Sequence, residues 1–420
     1  MLVDFDRTPV LHSAYMTVEE QLEILERGTV EIVPREALLA KLKKARDTGK
    51  PMQIKLGLDP TAPDIHLGNA VVLRKLRQFQ NLGHEVTVII GDFTAMIGDP
   101  TGRSDTRKQL TPEQVAINAK TYAEQYHKIL DPAKTRVVFN SEWLGKLNLY
   151  DIVTLMSKTT VARILERDDF TKRFTGGLPI HTHEFLYPLC QGYDSVVLKS
   201  DVEIGGTEQK FNIMMGRDLQ REDGVPDPQI GLFMPLLVGL DGVDKMSKSK
   251  GNAIGIDEPP LAMFEKLMSI TDDQMTQYFE LCTDVPLAEV KVLCDNSKTH
   301  PKLAKKRLGT EVVTIYHGAA AAAEADAEWE RIHAQREIPD DIPEFVVPAD
   351  LIVDGHVRLT QLVVAAGFAP SGGEAKRLAQ QGGIAVNGVK ATDPSSQVAV
   401  ESGMILSSGR RKFVRLAVSK

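Results

Sequence analysis

Residues 52 to 69 read Met-Gln-Ile-Lys-Leu-Gly-Leu-Asp-Pro-Thr-Ala-Pro-Asp-Ile-His-Leu-Gly-Asn. The first seven make an apolar strand, and an amphipathic helical pattern runs from about residue 66 to 82. A turn of Pro, Thr, Ala and Asp separates them. A second run, 85 to 92, is Glu-Val-Thr-Val-Ile-Ile-Gly-Asp; its β-branched residues predict a strand buried on both faces. Strand, helix, strand implies a parallel sheet with a right-handed crossover. Such a sheet binds ligands beyond the C-terminal ends of its strands. There the first turn of the next helix offers free N–H groups and the positive end of its dipole. Gly57 lets a ligand approach the strand backbone. Gly68 clears the first helical turn for a flat ring, and His66 adds a donor beside an anion.

The rest of the chain is built around this unit. Thr17 and Glu20 form a capping box for a first helix to Arg27, and Pro34 starts a second that Gly49 closes. Residues 95 to 103, Ala-Met-Ile-Gly-Asp-Pro-Thr-Gly-Arg, form a turn after the second strand. Residues 112 to 195 read as a largely helical insertion with one strand at 135 to 140. The sheet is expected to resume near 195 to 200 and again at 229 to 238. The expected divisions are a catalytic domain at 1–240, a loop at 241–256, a helical domain at 257–337, a Pro-rich linker at 338–350 and a small module at 351–420. In that module, helices at 357–366 and 373–381 precede a strand and an Asn-Gly hairpin turn. The fold class is therefore α/β: a Rossmann-like parallel sheet with an insertion, then an α-helical domain and a small α+β module.

At 420 residues there is room for two or three domains. Cys190, Cys282 and Cys294 are too few and too irregularly spaced for a disulfide framework or a zinc site, and a reducing cytoplasm fits. No signal pattern or membrane-length apolar run is present, and no metal ligand set stands out. Net charge is −7, but residues 351 to 420 carry nine Lys or Arg against four Asp or Glu. A basic end on an acidic body suits a polyanion such as RNA, although charge alone is better read as a solvated basic face.

Three further clusters carry chemistry. Lys245-Met-Ser-Lys-Ser249 places two lysines three apart amid Ser and Gly, a flexible grip for a polyphosphate. Taken alone, it is better read as an exposed basic loop. Tyr187, Gln191 and Asp194 fall on one helical face, provided Pro188 sits in the first turn. A phenol, an amide and a carboxylate pointing one way suit a polar or phenolic zwitterion; the plainer reading is a polar helix face. Gly205-Gly-Thr-Glu-Gln209 is another glycine turn before a helix. His66 alone is more often a helix cap than a catalyst.

In this order, however, the motifs resemble a known family. Pro-Thr-Ala-Pro-Asp-Ile-His-Leu-Gly-Asn is similar to the "HIGH" signature of class I aminoacyl-tRNA synthetases, and Lys-Met-Ser-Lys-Ser is their second signature, letter for letter. Gly-Asp-Pro-Thr-Gly, Tyr-Pro-Leu-Cys-Gln-Gly-Tyr-Asp and Gly-Gly-Thr-Glu-Gln resemble the bacterial tyrosyl branch written with KMSKS. The tail, with Ser-Gly-Gly-Glu-Ala-Lys-Arg-Leu, looks like an S4 RNA-binding module. The resemblance implies activation of tyrosine by ATP, with magnesium accompanying the nucleotide, and transfer to the 3′ end of a tyrosine tRNA. It implies catalytic roles for Thr61, His66, Lys245 and Lys248. ATP would be bound by Gly57, Asp59, His66, Gly68, Asn69, Gly206, Glu208 and Lys248. Tyrosine would lie against Asp99, Tyr187, Gln191, Asp194 and Gln209, with Lys55 where one bacterial branch has a tyrosine. Asn69 stands where the signature ends in His. Lys376, Arg377, Arg410, Arg411 and Lys412 are the expected RNA contacts, and the insertion the expected homodimer interface. A tryptophanyl-specific relative, a nucleotidyltransferase of the same superfamily and an inactive RNA-binding protein are the competing readings.

Overall fold

The computed structural model describes residues 16–59, 65–99, 111, 113, 114, 117, 125–333, 342–409 and 412–418. The chain divides into two compact units, one up to Ala323 and one from Glu324 onward.

The first unit is built on a six-stranded sheet: β1 (Glu31–Val33), β2 (Gln53–Leu58), β3 (Glu85–Ile90), β4 (Thr135–Phe139), β5 (Val202–Gly206) and β6 (Ile230–Met234). The spatial order is β1-β6-β5-β2-β3-β4. All neighbours run parallel except β1, which pairs antiparallel with β6 on one edge. From β2 the chain steps outward to β3 and β4, then returns to β5 and steps the other way. The order therefore reverses between β2 and β5, and a crevice opens beyond their C-terminal ends. The helix Leu67–Asn81 crosses from β2 to β3 and buries Leu67, Ala70, Val71, Leu73, Leu76 and Phe79. Each such fully buried aliphatic or aromatic side chain contributes roughly 1.5–3 kcal/mol, so this apolar stripe fixes where the helix N-terminus points.

Several expectations change. Residues 195 to 198 are not strand: they end the helix Leu186–Leu198, which Lys199 closes in the left-handed region at φ 50°, and the strand begins at Val202. β1 was not legible in the sequence; it lies between the first two helices, and Pro34 is the N-cap of the helix Arg35–Thr48. The Thr17–Glu20 capping box forms. Most of the helix expected from 111 to 130 lies outside the described residues. In the insertion, the helix Leu149–Ser157 turns Leu155 inward against Leu189, Met215 and Leu219, while Leu149, Tyr150, Val153 and Met156 are exposed. From residue 260 the unit is helical: Pro260–Ser269, Met275–Cys282, Leu287–Leu293 and Pro301–His317.

The second unit has its own core, including Val347, Leu359, Leu362, Ile384, Leu406 and Leu416. Part of the stretch expected to be linker is strand: β7 (Glu344–Val347) runs parallel to β13 (Lys412–Val418). The first expected helix is shorter, Leu359–Ala365, because His356–Arg358 forms a strand, β8, paired with β11 (Gln397–Ala399). The second is Gly372–Gln380. Between β9 (Ile384–Val386) and β10 (Val389–Lys390), Asn387 and Gly388 both take positive φ, 48° and 77°, as a two-residue hairpin turn requires. β12 (Ile405–Ser408) lies between β9 and β13.

Candidate active site

A cleft of about 670 Å³ opens at the β2–β5 reversal. The C-terminal residues of both strands line it, Leu56 to Asp59 and Glu203 to Gly206. Of the expected site residues, Gly57, Asp59, His66, Gly68, Asn69, Asp99, Tyr187, Gln191, Asp194, Gly206, Glu208, Gln209 and Lys245 line this one space. Thr61, Arg410 and Arg411 lie outside the described residues.

One wall comes from the start of the helix Leu67–Asn81. His66 is its N-cap, and its backbone N–H donates to Asn69 Oδ1 at 3.2 Å. Asn69 thus turns its carbonyl to the cap, leaving its NH₂ as the end available to a ligand. Burial and the charge of Lys248 hold the His66 imidazole down at about 4, so it is neutral at physiological pH. His66 Nδ1 is buried without a hydrogen-bond partner among the described residues. A Cβ on Gly57 would meet nothing within 4 Å, whereas one on Gly68 would sit 3.0 Å from the His66 ring. Gly57 therefore leaves room for a ligand, and Gly68 leaves room for the histidine.

The deep end is made by the helix Leu186–Leu198, where Pro188 occupies the first turn and leaves the helix intact. Tyr187 donates its hydroxyl to Asp59 Oδ2 at 2.7 Å, and Thr94 donates to Asp59 Oδ1 at 2.9 Å. Asp194 is buried at the bottom. It accepts from Trp143 Nε1 at 2.8 Å and Asn140 Nδ2 at 3.4 Å. Burial pushes its carboxyl up to about 7, against the pull of Lys55 and those two donors. Asp99 accepts from Arg167 and from Gln209 Nε2, both at 2.8 Å.

Lys55 is not in the cleft wall. Its ammonium lies 3.0 Å from Glu203 Oε1, and both side chains are 1% exposed. The two face each other across adjacent strands. Glu203 is the one that reaches the cleft, where Gln191 Nε2 donates to it at 3.2 Å. Ser195 and Gln229 satisfy its other oxygen. Glu203, Asn140, Trp143 and Arg167 were not singled out from the sequence. One of them carried a signal: Glu203, like Lys55, is a charge in the middle of an otherwise apolar strand, Val202-Glu203-Ile204 against Ile54-Lys55-Leu56.

The adjoining wall is the lysine loop. Lys245, Met246, Ser247, Ser249 and Lys250 line the cleft. Lys248 opens a short 3-10 turn behind them and makes itself felt through its charge on His66. Lys250 is paired with Asp244 at 2.7 Å. Across the cleft, burial raises the Glu208 carboxyl while the charge of Lys245 opposes that rise. A Cβ on Gly206 would lie 2.3 Å from Glu208 Oε2, so glycine is needed for Glu208 to fold back over the turn. The two signature stretches also join through backbone: Leu67 N–H donates to Ile254 C=O at 2.9 Å, and Ile256 N–H to Ile65 C=O at 3.2 Å. Among the described residues, no group of three His, Cys, Asp or Glu gathers in metal-holding geometry. In the second unit Lys376, Arg377 and Lys412 are exposed, with Arg377 paired to Glu374.

A cleft of this composition provides cations beside a helix N-terminus at one end and a group of acids and amides at the other, Asp194 and Glu203 among them buried. Comparison with known proteins settles which family uses it. The sequence profile described as "tRNA synthetases class I (W and Y)" matches residues 47–334, and that of the S4 domain matches 357–403. The chain belongs to the class I tRNA synthetases of the W and Y family. It is 55% identical to the tyrosine–tRNA ligase of Moorella thermoacetica, over 95% of this chain and 96% of that one. It is 54% identical to the tyrosine–tRNA ligase of Carboxydothermus hydrogenoformans, over 96% and 99%. Among solved structures, its fold is similar to that of a C-terminally truncated mitochondrial tyrosyl-tRNA synthetase from Coccidioides posadasii (TM-score 0.60, 23% identity, 73% of this chain and 91% of that). The Archaeoglobus fulgidus tyrosyl-tRNA synthetase complexed with L-tyrosine is comparable (TM-score 0.58, 22% identity, 74% and 100%).

Proposed function

We infer that this chain is a tyrosine–tRNA ligase. The observation that carries this is the identity of 49–55% to relatives of that name along at least 95% of the chain. The reaction joins the carboxylate of tyrosine to the α-phosphate of ATP, releasing pyrophosphate, and the terminal ribose hydroxyl of tRNA then takes the tyrosyl group. Neither step needs a nucleophile from the protein, so catalysis lies in positioning and in charge aimed at the reacting phosphate.

Roles follow from chemistry and placement, and for Thr61 from the signature it belongs to. Asp194 accepts the phenol hydroxyl at the bottom of the cleft. Tyr187, Gln191, Asp99 and Gln209 stand around the ammonium and backbone of the amino acid, and Lys55 acts through Glu203 and Gln191 rather than by contact. Gly57, Asp59, Gly68, Asn69, Gly206 and Glu208 take the adenosine, with Glu208 and Asn69 toward the ribose hydroxyls. Thr61 and the neutral His66 donate to the phosphates, and Lys245 and Lys248 hold the departing pyrophosphate. ATP enters as its magnesium complex, the phosphates supplying oxygen ligands. The exposed Leu149, Tyr150 and Val153, 80%, 79% and 57% exposed, form an apolar face suited to a second copy of the chain. The second unit contributes the basic RNA-binding surface. We place the protein in the cytoplasm, where its unpaired cysteines stay reduced. No described helix is long and apolar enough to cross a membrane.

The test is ATP–pyrophosphate exchange with each standard amino acid. Tyrosine alone is expected to sustain it. Exchange supported by tryptophan instead, or by no amino acid, overturns the assignment.

A further inference from the structure

The loop bearing Lys245 and Lys248 is gripped by a side chain that has no place in the cleft. Asn252 is buried, 3% exposed. Its carbonyl accepts from Ser247 N–H at 2.7 Å; its amide nitrogen donates to Asp241 Oδ2 at 2.5 Å and to Lys245 C=O at 3.2 Å. Asp241 uses its other oxygen to accept from Val243 and Asp244 N–H at 3.0 and 2.9 Å. Gly239 makes room for this arrangement, since a Cβ there would fall 2.2 Å from Asn252 Nδ2.

The stems of the loop are fastened separately. Tyr278 donates to Val238 C=O and Gln274 to Gly239 C=O, both at 2.7 Å. On the far side, Ile254 C=O holds Leu67 N–H. Between these stems, Asn252 bonds the backbone on both sides of Met246, and Met246 packs beside Gly68 at the first helical turn.

We propose that Asn252, clasped to Asp241, is a positioning residue for adenylate formation: it holds the lysine-bearing turn against the phosphate end of the cleft. This rests on the tyrosine–tRNA ligase reading. A loop ordered before the substrates arrive does not have to be ordered in the transition state, so the clasp acts on rate rather than on tyrosine binding.

The experiment is tyrosine-dependent ATP–pyrophosphate exchange on the full chain, comparing wild type, Asn252→Asp, Asp241→Asn and the double exchange. Asn252→Asp sets two carboxylates against each other and loses the bond to Lys245. In the double variant the new carboxylate at position 252 still accepts from Ser247. The new amide at position 241 still accepts from Val243 and Asp244, and it now donates to that carboxylate. Asn252→Asp is expected to lower kcat about tenfold or more, with the KM for tyrosine changed less than about twofold. The double variant should recover to within about threefold of wild type. A kcat for Asn252→Asp within about twofold of wild type, a loss carried by tyrosine KM, or a double variant as slow as the single one overturns the proposal. Tryptic cleavage after Lys245, Lys248 or Lys250 reads the clasp without reference to activity: faster in Asn252→Asp, restored in the double variant, and unchanged in both if there is no clasp. Absence of tyrosine-dependent exchange in the wild type would instead sink the ligase reading itself.

Discussion

A carboxylate at the bottom of a cleft is costly before any substrate arrives. Trp143 and Asn140 donate to Asp194, yet burial still lifts it to about 7, above an ordinary aspartate. The folded state therefore binds a proton that the unfolded chain has already released, and stability is lost as pH rises from about 4 to about 7. Asp194→Asn keeps an acceptor for Trp143 and removes the charge. Its melting temperature should exceed wild type by roughly a few degrees at pH 8, with the gap closing as pH falls toward 4. The same change replaces a charged acceptor with a neutral one, so the KM for tyrosine should rise about tenfold or more and the preference over phenylalanine should narrow. A site built to bond a hydroxyl rejects the analogue lacking it because its own acceptor is left unpaired. Thermal melts against pH and amino-acid-dependent exchange check the two halves. An Asn variant no more stable than wild type at pH 8 would mean that the carboxylate is not strained.

The strands show where sequence stops being informative. β2 and β3 were legible because each is an apolar run with turn residues at its end. β1 was not: three residues, Glu31 to Val33, are a strand only because β6 offers them a partner far along the chain. Residues 195 to 198 misled in the other direction. Val196 and Val197 favour a strand locally, but the helix Leu186–Leu198 packs along the helix Lys210–Glu222 and continues through them. The candidate site was legible where its residues sit together in a motif. It was not where it is assembled from single residues such as Asn140, Trp143 and Arg167. The Lys55–Glu203 pair belongs to this scale, since it joins β2 to β5 at the point where strand order reverses. Removing one member of a buried pair costs about 3–5 kcal/mol, whereas replacing both with apolar groups is often neutral. Lys55→Met should thus unfold at markedly lower denaturant, and Lys55→Met with Glu203→Met should regain only part of the loss, since Ser195, Gln229 and Gln191 then lack the acceptor they share. The double variant should still bind tyrosine poorly, because Gln191 loses its acceptor. Equal stability of the single and double variants would remove the pair from the account.

The whole molecule separates chemistry from RNA contact. The cleft lies entirely in the unit ending at Ala323, while the second unit closes its own core and carries an excess of basic residues from residue 351 onward. A chain cut after His333 keeps the helix Ala319–His333 and loses the basic module. It should retain tyrosine-dependent exchange within about twofold, yet charge tRNA at least about tenfold more slowly, with the deficit shrinking at high salt as counterion-driven attraction weakens. Exchange and charging lost in equal measure would deny that separation. The backbone seam between residues 65–67 and 254–256 has a consequence of its own. It pinches the chain as a drawstring closes a bag, and the stretch between the two signatures is tied at this neck as well as through the sheet, where β3 and β5 pair with β2. Lengthening or shortening the helical excursion out on the rim changes the size of the bag and leaves its mouth the same width. Changes of length in the outer helices of this chain should therefore leave the distance from the helix start to the lysines unchanged.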